Sequence, residues 1–216
     1  MKTAFALALL ASAFLSFSKP AAAAQPTITI DNIVFLSLST SAQNPEKAEV
    51  RALTADEAKS VDLAVAHLLV SKTGRAILGR FATLRNTVAV FVNTEHANFY
   101  RTNGNFVLWD PSDATIFENG SSVSPSIVLL HELAHALRAN ENILEFAHAN
   151  KSKIARYDDG EEMRVIRFVE TPAARELGEG TRTSHGGRMY TALTSDSATP
   201  AAITKLTIAD ALGNGR

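Results

Sequence analysis

Short runs of apolar residues, separated by polar ones, predict a chain that mixes strands and helices. Within Thr27–Leu38, Ile and Thr alternate before the run becomes apolar, which is typical of a strand with one exposed edge. Thr87–Val92 and Phe106–Trp109 are short, rich in β-branched and aromatic residues, and bounded by Asn, Gly or Pro. We expect all three segments to be strands and the last two to belong to one sheet.

Apolar residues at helical spacing predict a helix over residues 55–71, and Thr54 with Glu57 forms a capping-box pattern at its start. Its end is set by the polar residues that precede the next helix. Further helices are predicted from Gly74, over Glu141–Ala149 and after Asp158-Asp159-Gly160.

One more helix has an unusual pattern, because it is apolar on nearly every side. Ser124 and Pro125 are a typical N-cap and first-turn pair, and Ile127–Leu137 follows directly behind them. A helix of this kind is buried on most of its surface. Together with the strands it indicates an α+β fold with a small mixed sheet around a buried helix.

The first residues have the composition of a secretory signal peptide. Lys2 precedes the uncharged apolar run Ala4–Phe17, and Ala22-Ala23-Ala24 offers small residues for cleavage before Gln25. The run is shorter than the roughly 20 residues that cross a bilayer. We therefore expect residues 1–24 to be removed and the mature protein to be secreted or periplasmic, monomeric and free of the membrane.

Composition narrows the possible partners and the possible chemistry. The 21 Lys and Arg residues nearly balance 22 Asp and Glu, which argues against nucleic-acid binding. The chain has no Cys, so any metal site must be built from His and carboxylates. From Thr191 large apolar residues are sparse, and we expect one domain over residues 25–190 followed by a loosely ordered tail over 191–216.

The apolar helix contains His131-Glu132-Leu133-Ala134-His135. Residues four apart share a helix face, so both imidazoles can bind one Zn²⁺, while Glu132 is placed to deprotonate a metal-bound water. The alternative is a pair of core histidines beside a carboxylate. That arrangement would desolvate three ionisable groups without compensation, so a metal site is the favoured interpretation.

A third protein ligand must come from elsewhere in the chain. On a helical wheel Glu162 lies at the centre of the apolar face, whereas Glu161 points outward or acts behind the ligands. Glu162 could instead complete a capping box with Asp159. The other candidates are Glu170, His148 and His185.

These residues resemble the NleD-like type III effector zinc metallopeptidases of bacteria, over a region from about Leu68 to Gly187. The resemblance implies a zincin-like fold and a zinc-dependent endopeptidase that cleaves host proteins. The segments that carry it are Ser71-Lys72-Thr73-Gly74-Arg75, Trp109-Asp110-Pro111, Ser124-Pro125, His131 to Ala136, Glu161-Glu162-Met163, Glu170, Arg175-Glu176-Leu177-Gly178 and Arg182-Thr183-Ser184.

A fainter similarity links the chain to the clostridial neurotoxin proteases. In those proteases the second member of a Glu-Glu pair is the third zinc ligand, which corresponds to Glu162. They also place an Arg and a Tyr three residues apart near the substrate carbonyl. Here Arg182 matches the arginine and is a candidate for oxyanion stabilisation, or else a surface-loop residue. His185 stands in the tyrosine position, and Tyr190 is an alternative for that role.

The signal peptide departs from the type III pattern, because such effectors normally lack a cleaved signal. We therefore do not infer from the resemblance that this chain acts on host proteins. We expect a protein or peptide substrate to lie extended along Phe106–Trp109 as an edge strand. The alternative functions are a non-catalytic exported zinc-binding protein and a zinc amidase that acts on a cell-wall amide.

Overall fold

A six-stranded mixed sheet forms one layer of the protein. The computed structural model describes residues 28–41 and 44–200, without the side chains of 39–41 and 44–48. Strands β2, β4 and β6 lie side by side in parallel, β5 closes one edge antiparallel to β6, and β1 and β3 pair with successive parts of β2. The six strands are β1 (Ile28–Ile30), β2 (Ile33–Ser41), β3 (Asn44–Arg51), β4 (Val88–Val92), β5 (Phe99–Arg101) and β6 (Phe106–Trp109).

The segment predicted as one strand over Thr27–Leu38 is two antiparallel strands, β1 and β2. Asp31 reverses the chain between them with a positive φ of 51°, a conformation that Asp tolerates better than most residues. The Asn32 side chain fixes the turn by donating hydrogen bonds to the carbonyls of Phe81 and Leu84. The alternating Ile and Thr residues therefore belong to a hairpin, and its second strand, β2, lies in the interior of the sheet.

The prediction that Phe106–Trp109 is an edge strand is wrong. β6 lies between β4 and β5 and pairs with both, so no substrate can add to it. The segment is uniformly apolar because both of its edges are paired and much of it is buried. Strand β5, only three residues long, is the outer strand at this end of the sheet.

Helices cover the sheet and supply most of the remaining core. A π-helical turn over Ile166–Glu170 joins the last two helices into one continuous rod. The helices are α1 (Ala55–Val70), α2 (Lys72–Arg80), α3 (Pro125–Glu141), α4 (Ile143–Lys151), α5 (Gly160–Val165) and α6 (Thr171–Leu177).

The helix boundaries follow local signals in most places. Thr54 and Glu57 form the predicted capping box of α1. Helix α2 begins at Lys72, before the predicted Gly74, and a Cβ on Gly74 would lie 2.1 Å from the Leu68 carbonyl oxygen. The glycine therefore permits α1 and α2 to meet closely, rather than starting the second helix. Helix α4 starts at Ile143, later than predicted, because α3 continues through Glu141.

Helix α3 runs through the centre of the core, as its sequence predicts. Leu129 and Leu133 are fully buried, and the indole nitrogen of Trp109 donates a 2.9 Å hydrogen bond to the Pro125 carbonyl at the start of the helix. The helix packs against α1, β6 and the π-helical turn. Among the described residues, no helix has the length and apolar character needed to cross a membrane.

Two small sheets complete the fold. In the first, β7 (Asp113–Ile116) pairs with both β8 (Ser122–Val123) and β11 (Arg188–Thr191). In the second, β9 (Lys153–Ile154) pairs with β10 (Asp158–Asp159) just before α5.

Residues 192–200 are held against the body of the protein, which differs from the loose tail expected from Thr191. Ser195 is buried, its carbonyl accepts hydrogen bonds from Ser126, and its hydroxyl donates to the Ser60 carbonyl. These backbone hydrogen bonds compensate for the lack of large apolar side chains. Residues 1–27 with the predicted signal peptide, and residues 201–216 of the predicted tail, lie outside the described part of the chain.

Two glutamates near the end of α6 cap other helices. Glu176 accepts hydrogen bonds from the Ser71 hydroxyl and the Thr73 amide at the start of α2, and the Ser71 bond is the main reason that its pKa is lowered to about 2. Glu179 accepts hydrogen bonds from the amide and hydroxyl of Ser124 at 2.6 and 2.8 Å, and contacts His67 at 2.7 Å. Glu176 thus anchors the start of α2 and Glu179 the start of α3.

We expect Glu179→Ala to lower the free energy of unfolding by about 1–3 kcal/mol, because it leaves the buried Ser124 amide and hydroxyl without an acceptor. Urea denaturation measures the change. Glu95→Ala is the matched control, since Glu95 is exposed, and should change the free energy by less than about 0.5 kcal/mol. Equal effects of the two substitutions would show that the Glu179 cap contributes nothing.

Candidate metal centre

Three side chains from two helices converge on one point, and one of them, His131, lines a cleft. His131 and His135 are four residues apart on α3, and Glu162 is in the first turn of α5. The two Nε2 atoms are 3.0 Å apart, and the Glu162 carboxylate oxygens lie 3.1 Å from Nε2 of His131 and 3.2 Å from Nε2 of His135. The three side chains therefore form a triangle of ligand groups with separations of 3.0 to 3.2 Å, in which each Nε2 atom is near a different oxygen of the Glu162 carboxylate.

The triangle has the dimensions of one face of a metal coordination sphere. Ligands about 2.0–2.1 Å from a tetrahedral metal are about 3.3 Å from one another. In addition, Oε2 of Glu162 is buried without a hydrogen-bond partner, because its contact with His131 lacks hydrogen-bond geometry. The donor atoms and the unpartnered oxygen show that His131, His135 and Glu162 are positioned to hold a metal ion.

The electrostatics of the three groups are strongly coupled. Burial would raise the pKa of the Glu162 carboxyl, but the two imidazoles outweigh burial and hold that pKa well below its usual range. Burial would likewise lower the pKa of both histidines, yet Glu162 and the outer carboxylates raise the pKa of His131 and bring that of His135 to about 10. The carboxylate thus stays ionised, as a metal ligand must be, whereas the raised pKa values of the histidines mean that a bound metal ion would displace their protons.

The rear nitrogen of His131 contacts a second carboxylate. Nδ1 of His131 lies 2.8 Å from Glu170, which is 2% exposed. Arg182 holds Glu170 through two hydrogen bonds, at 2.7 and 2.6 Å. This arrangement fixes the ring so that Nε2 faces Glu162.

His135 has a longer contact on its own rear side, where Nδ1 is buried without a hydrogen-bond partner. Oε1 of Glu161 lies 3.5 Å from Nδ1 of His135, and Arg138 donates to both oxygens of that carboxylate at 2.7 and 2.9 Å. Glu161 is fully buried, so of the two positions expected for it, outward or behind the ligands, the structure has the second. Each histidine is therefore held between Glu162 and an outer carboxylate that is paired with an arginine.

The π-helical turn explains how Glu162 and Glu170 both reach His131. Eight residues of regular helix would leave the two side chains about 80° apart. A π-helical turn rotates the chain less per residue, which turns Glu170 back toward the direction of Glu162. The helical wheel also placed Glu162 at the centre of the buried face, whereas its side chain is 20% exposed.

Asp159, rather than Glu162, supplies the cap of α5. Its side chain accepts hydrogen bonds from the amides of Glu161 and Glu162 at 2.8 and 3.0 Å. The reciprocal half of a capping box is replaced, because the Asp159 amide donates to the Tyr157 carbonyl. The Glu162 side chain is directed at the histidines instead, so the capping alternative does not describe its position.

Glu132 lines a cleft of about 230 Å³ beside His131. Its partly exposed carboxylate makes no hydrogen bond with the described residues. Glu132 is thus free to accept a proton from a molecule in the cleft, unlike the paired acids behind the histidines.

His185 enters the cleft from the loop before β11. Its Nδ1 lies 2.6 Å from Asp158, its Nε2 lies 3.4 Å from Glu162, and its ring stacks on His131 with centroids 6.5 Å apart. Tyr190, the alternative to His185 near the substrate carbonyl, and His148, a candidate third ligand, do not line this cleft. The Tyr190 hydroxyl donates to the Ala198 carbonyl, and His148 is exposed on α4.

The sequence analysis missed the roles of Arg138 and Asp158, and it treated Glu170 only as an alternative ligand. Arg138 follows His135 by three residues on the same helix face, a spacing that has meaning only once the position of Glu161 is known. Asp158 and His185 are brought together by the β9–β10 hairpin and the long loop before β11, and no local pattern reports that contact.

A second group of His and carboxylates has a different character. His96 Nδ1 lies 2.6 Å from Asp113, and the His96 amide donates to Asp110. The remaining oxygens of the two aspartates accept hydrogen bonds from Ser112 and Asn98. Every carboxylate oxygen of the two aspartates has a hydrogen-bond partner. These hydrogen bonds stabilise a turn and position Asn98 at the cleft.

No protein family, curated protein or solved structure matches this chain, so comparison with known proteins gives no further information about the site.

Proposed function

We propose that the chain is a secreted zinc-dependent endopeptidase with a zincin-like fold. The observation that carries the proposal is the triangle of His131, His135 and Glu162, with the unpaired Glu132 carboxylate beside it in an open cleft. A structural metal site would have closed coordination and no need for a free base. A catalytic site has three protein ligands and leaves one position open to the cleft.

Zinc is the metal that this donor set favours. Two imidazole nitrogens and one carboxylate oxygen are typical of hydrolytic zinc sites, whereas Ca²⁺ and Mg²⁺ prefer oxygen ligands alone. When bound, zinc would lower the pKa of a coordinated water and polarise a carbonyl group. The outer carboxylates Glu161 and Glu170 support this choice, because they keep Nε2 of each histidine directed at the ion.

The chain's own residues perform the proton transfers in this proposal. Glu132 accepts a proton from the water that attacks the scissile carbonyl and then delivers it to the leaving amine. Its carboxylate suits both steps because no hydrogen bond within the described residues holds it.

The assignment of oxyanion stabilisation changes from Arg182 to His185. Arg182 directs donors to Glu170 and to the His185 carbonyl, so it acts as a positioning residue for His131 through Glu170. His185 has its Nδ1 engaged by Asp158, which leaves Nε2 facing the cleft beside Glu162. Because the Asp158 carboxylate accepts from Nδ1, Nε2 carries a proton only in the imidazolium form of His185, and in that form it donates a hydrogen bond to the developing oxyanion.

An extended substrate would pair with β5 instead of β6. β5 is the outer strand beside the cleft, and Asn98, which directly precedes it, lines the cleft wall. Backbone pairing along an outer strand presents the scissile bond in an extended conformation.

We expect the purified mature protein to contain about one zinc per chain and to cleave proteins in an unbiased mixture. Mass spectrometry of the new peptide ends detects cleavage, and elemental analysis measures the metal. A chelator should abolish cleavage and added zinc should restore it. Zinc without cleavage would favour a binding protein, or an amidase if a cell-wall amide is hydrolysed, and the absence of bound zinc would refute the proposal.

A further inference from the structure

The cleft beside Glu132 has an apolar wall. Val128 lies three residues before His131 on the same face of α3, and Phe117 and Val123, 5% and 2% exposed, close the floor behind it. Met189 of β11 forms the rim and is 54% exposed. These apolar side chains are supplied by α3, β8, β11 and the turn between β7 and β8, so the wall is built by the tertiary fold.

Apart from Glu132, the charged residues of the same cleft are already paired. Arg182 binds both oxygens of Glu170, and its guanidinium lies 5.2 Å from the centre of the Phe117 ring. An anionic substrate side chain that entered here would lose its hydration without gaining a free counterion, and a cationic one would find only the Glu132 carboxylate, which the reaction uses as its base. An apolar side chain would lose nothing and would gain contact with the wall.

The size of the cleft limits what it can accept. Its volume of about 230 Å³ is below the range of about 300–1,000 Å³ that is typical of sites for whole small-molecule ligands. One large side chain fits such a volume. The thioether of Met189 is flexible and adapts to side chains of different shape.

We propose that this wall is a specificity subsite that selects substrates with a large apolar residue directly beside the scissile bond. Val128 and Met189 are its specificity-determining residues. The inference rests on the proposed endopeptidase activity, because the subsite is defined by its position next to Glu132 and His131.

A library of extended peptides with one varied position tests the inference. Sequencing of the products identifies the residue on each side of the cleaved bond, and kcat/KM is measured for matched peptides with Leu, Phe, Ala, Asp or Lys there. We expect kcat/KM for Leu and Phe to exceed that for Asp and Lys by about 10 to 200-fold. A preference for Asp, which would mean that Arg182 is available to substrate, overturns the inference.

Substitutions in the wall test which side chains cause the selectivity. Val128→Phe should fill the subsite and shift the preference toward Ala, and the exposed Met189→Ala should reduce the Leu preference even if the first variant does not fold. Leu193→Ala is the matched control, since Leu193 is also an exposed apolar residue of this region, 64% exposed, but does not line the cleft.

The outcomes separate the inference from the function on which it rests. Cleavage with no apolar preference, or with a preference that Met189→Ala leaves unchanged, overturns the subsite alone. Failure of the zinc-loaded protein to cleave any peptide overturns the endopeptidase and the subsite with it.

Discussion

Glu132→Gln should reduce hydrolysis by about 10²–10⁴-fold or more and leave the zinc content unchanged. The amide of glutamine cannot accept the proton of the attacking water, and general-base catalysis contributes a factor of this size. Zinc should remain because Glu132 is outside the triangle of His131, His135 and Glu162. Stability should change little, since the Glu132 carboxylate has no hydrogen bond to lose within the described residues.

The measurement combines kcat/KM on a cleaved peptide with elemental analysis of the same sample. Glu95→Gln is the control, because it removes an equal charge from an exposed loop. Full activity in Glu132→Gln would remove Glu132 from the mechanism. Loss of zinc would instead mean that this carboxylate is a ligand, which contradicts the geometry of the cleft.

The elements with strong local signals are those that the sequence predicted well. The Thr54–Glu57 capping box satisfies backbone groups within one helical turn, so its outcome depends on few distant residues. Pro125 begins its helix as predicted, but the Ser124 hydroxyl donates to the distant Glu179 instead of capping that helix. The position of Phe106–Trp109 within the sheet depends on pairing with β4 and β5. Because both neighbours are distant in sequence, an apolar run alone does not reveal whether a strand is at an edge or in the interior.

The residues of the candidate site also differ in how well the sequence alone predicts them. His131 and His135 are recognised from sequence because one helix fixes their separation, whereas Glu161, Glu162 and Glu170 depend on how a second helix crosses the first. The wheel selected Glu162 although it assumed a regular helix. The π-helical turn between Glu162 and Glu170, which no sequence signal predicts, is what allows both acids to contact His131.

The contacts around the histidines give the site its rigidity. Glu170 contacts the rear nitrogen of His131 at 2.8 Å, Glu161 lies 3.5 Å from that of His135, and each acid is itself paired with a partly buried arginine. Fixed imidazole orientations lower the conformational cost of binding a metal, because the ligands need no reordering. This division of roles separates the acid that faces the ion from the acids that orient its ligands.

The last prediction tests that division of roles directly. Glu162→Gln should abolish hydrolysis and weaken zinc affinity by orders of magnitude, because it removes the charge of the carboxylate whose two oxygens lie 3.1 and 3.2 Å from Nε2 of His131 and His135, respectively. Glu161→Gln is the matched control on the preceding residue. Its carboxylate contacts His135 from behind, so the change should weaken affinity by about 10 to 100-fold at most.

Zinc affinity is measured by competition with a chelator, and urea denaturation is run on the same samples. If Glu162 were only a helix-capping residue, Glu162→Gln would lower the free energy of unfolding by about 0.5–2 kcal/mol and retain zinc and activity. Glu170 cannot take over, because it lies on the Nδ1 side of His131 and is held by Arg182. A Glu162→Gln protein that keeps one zinc and cleaves substrate would therefore refute the proposed centre, rather than move the ligand role to a neighbouring acid.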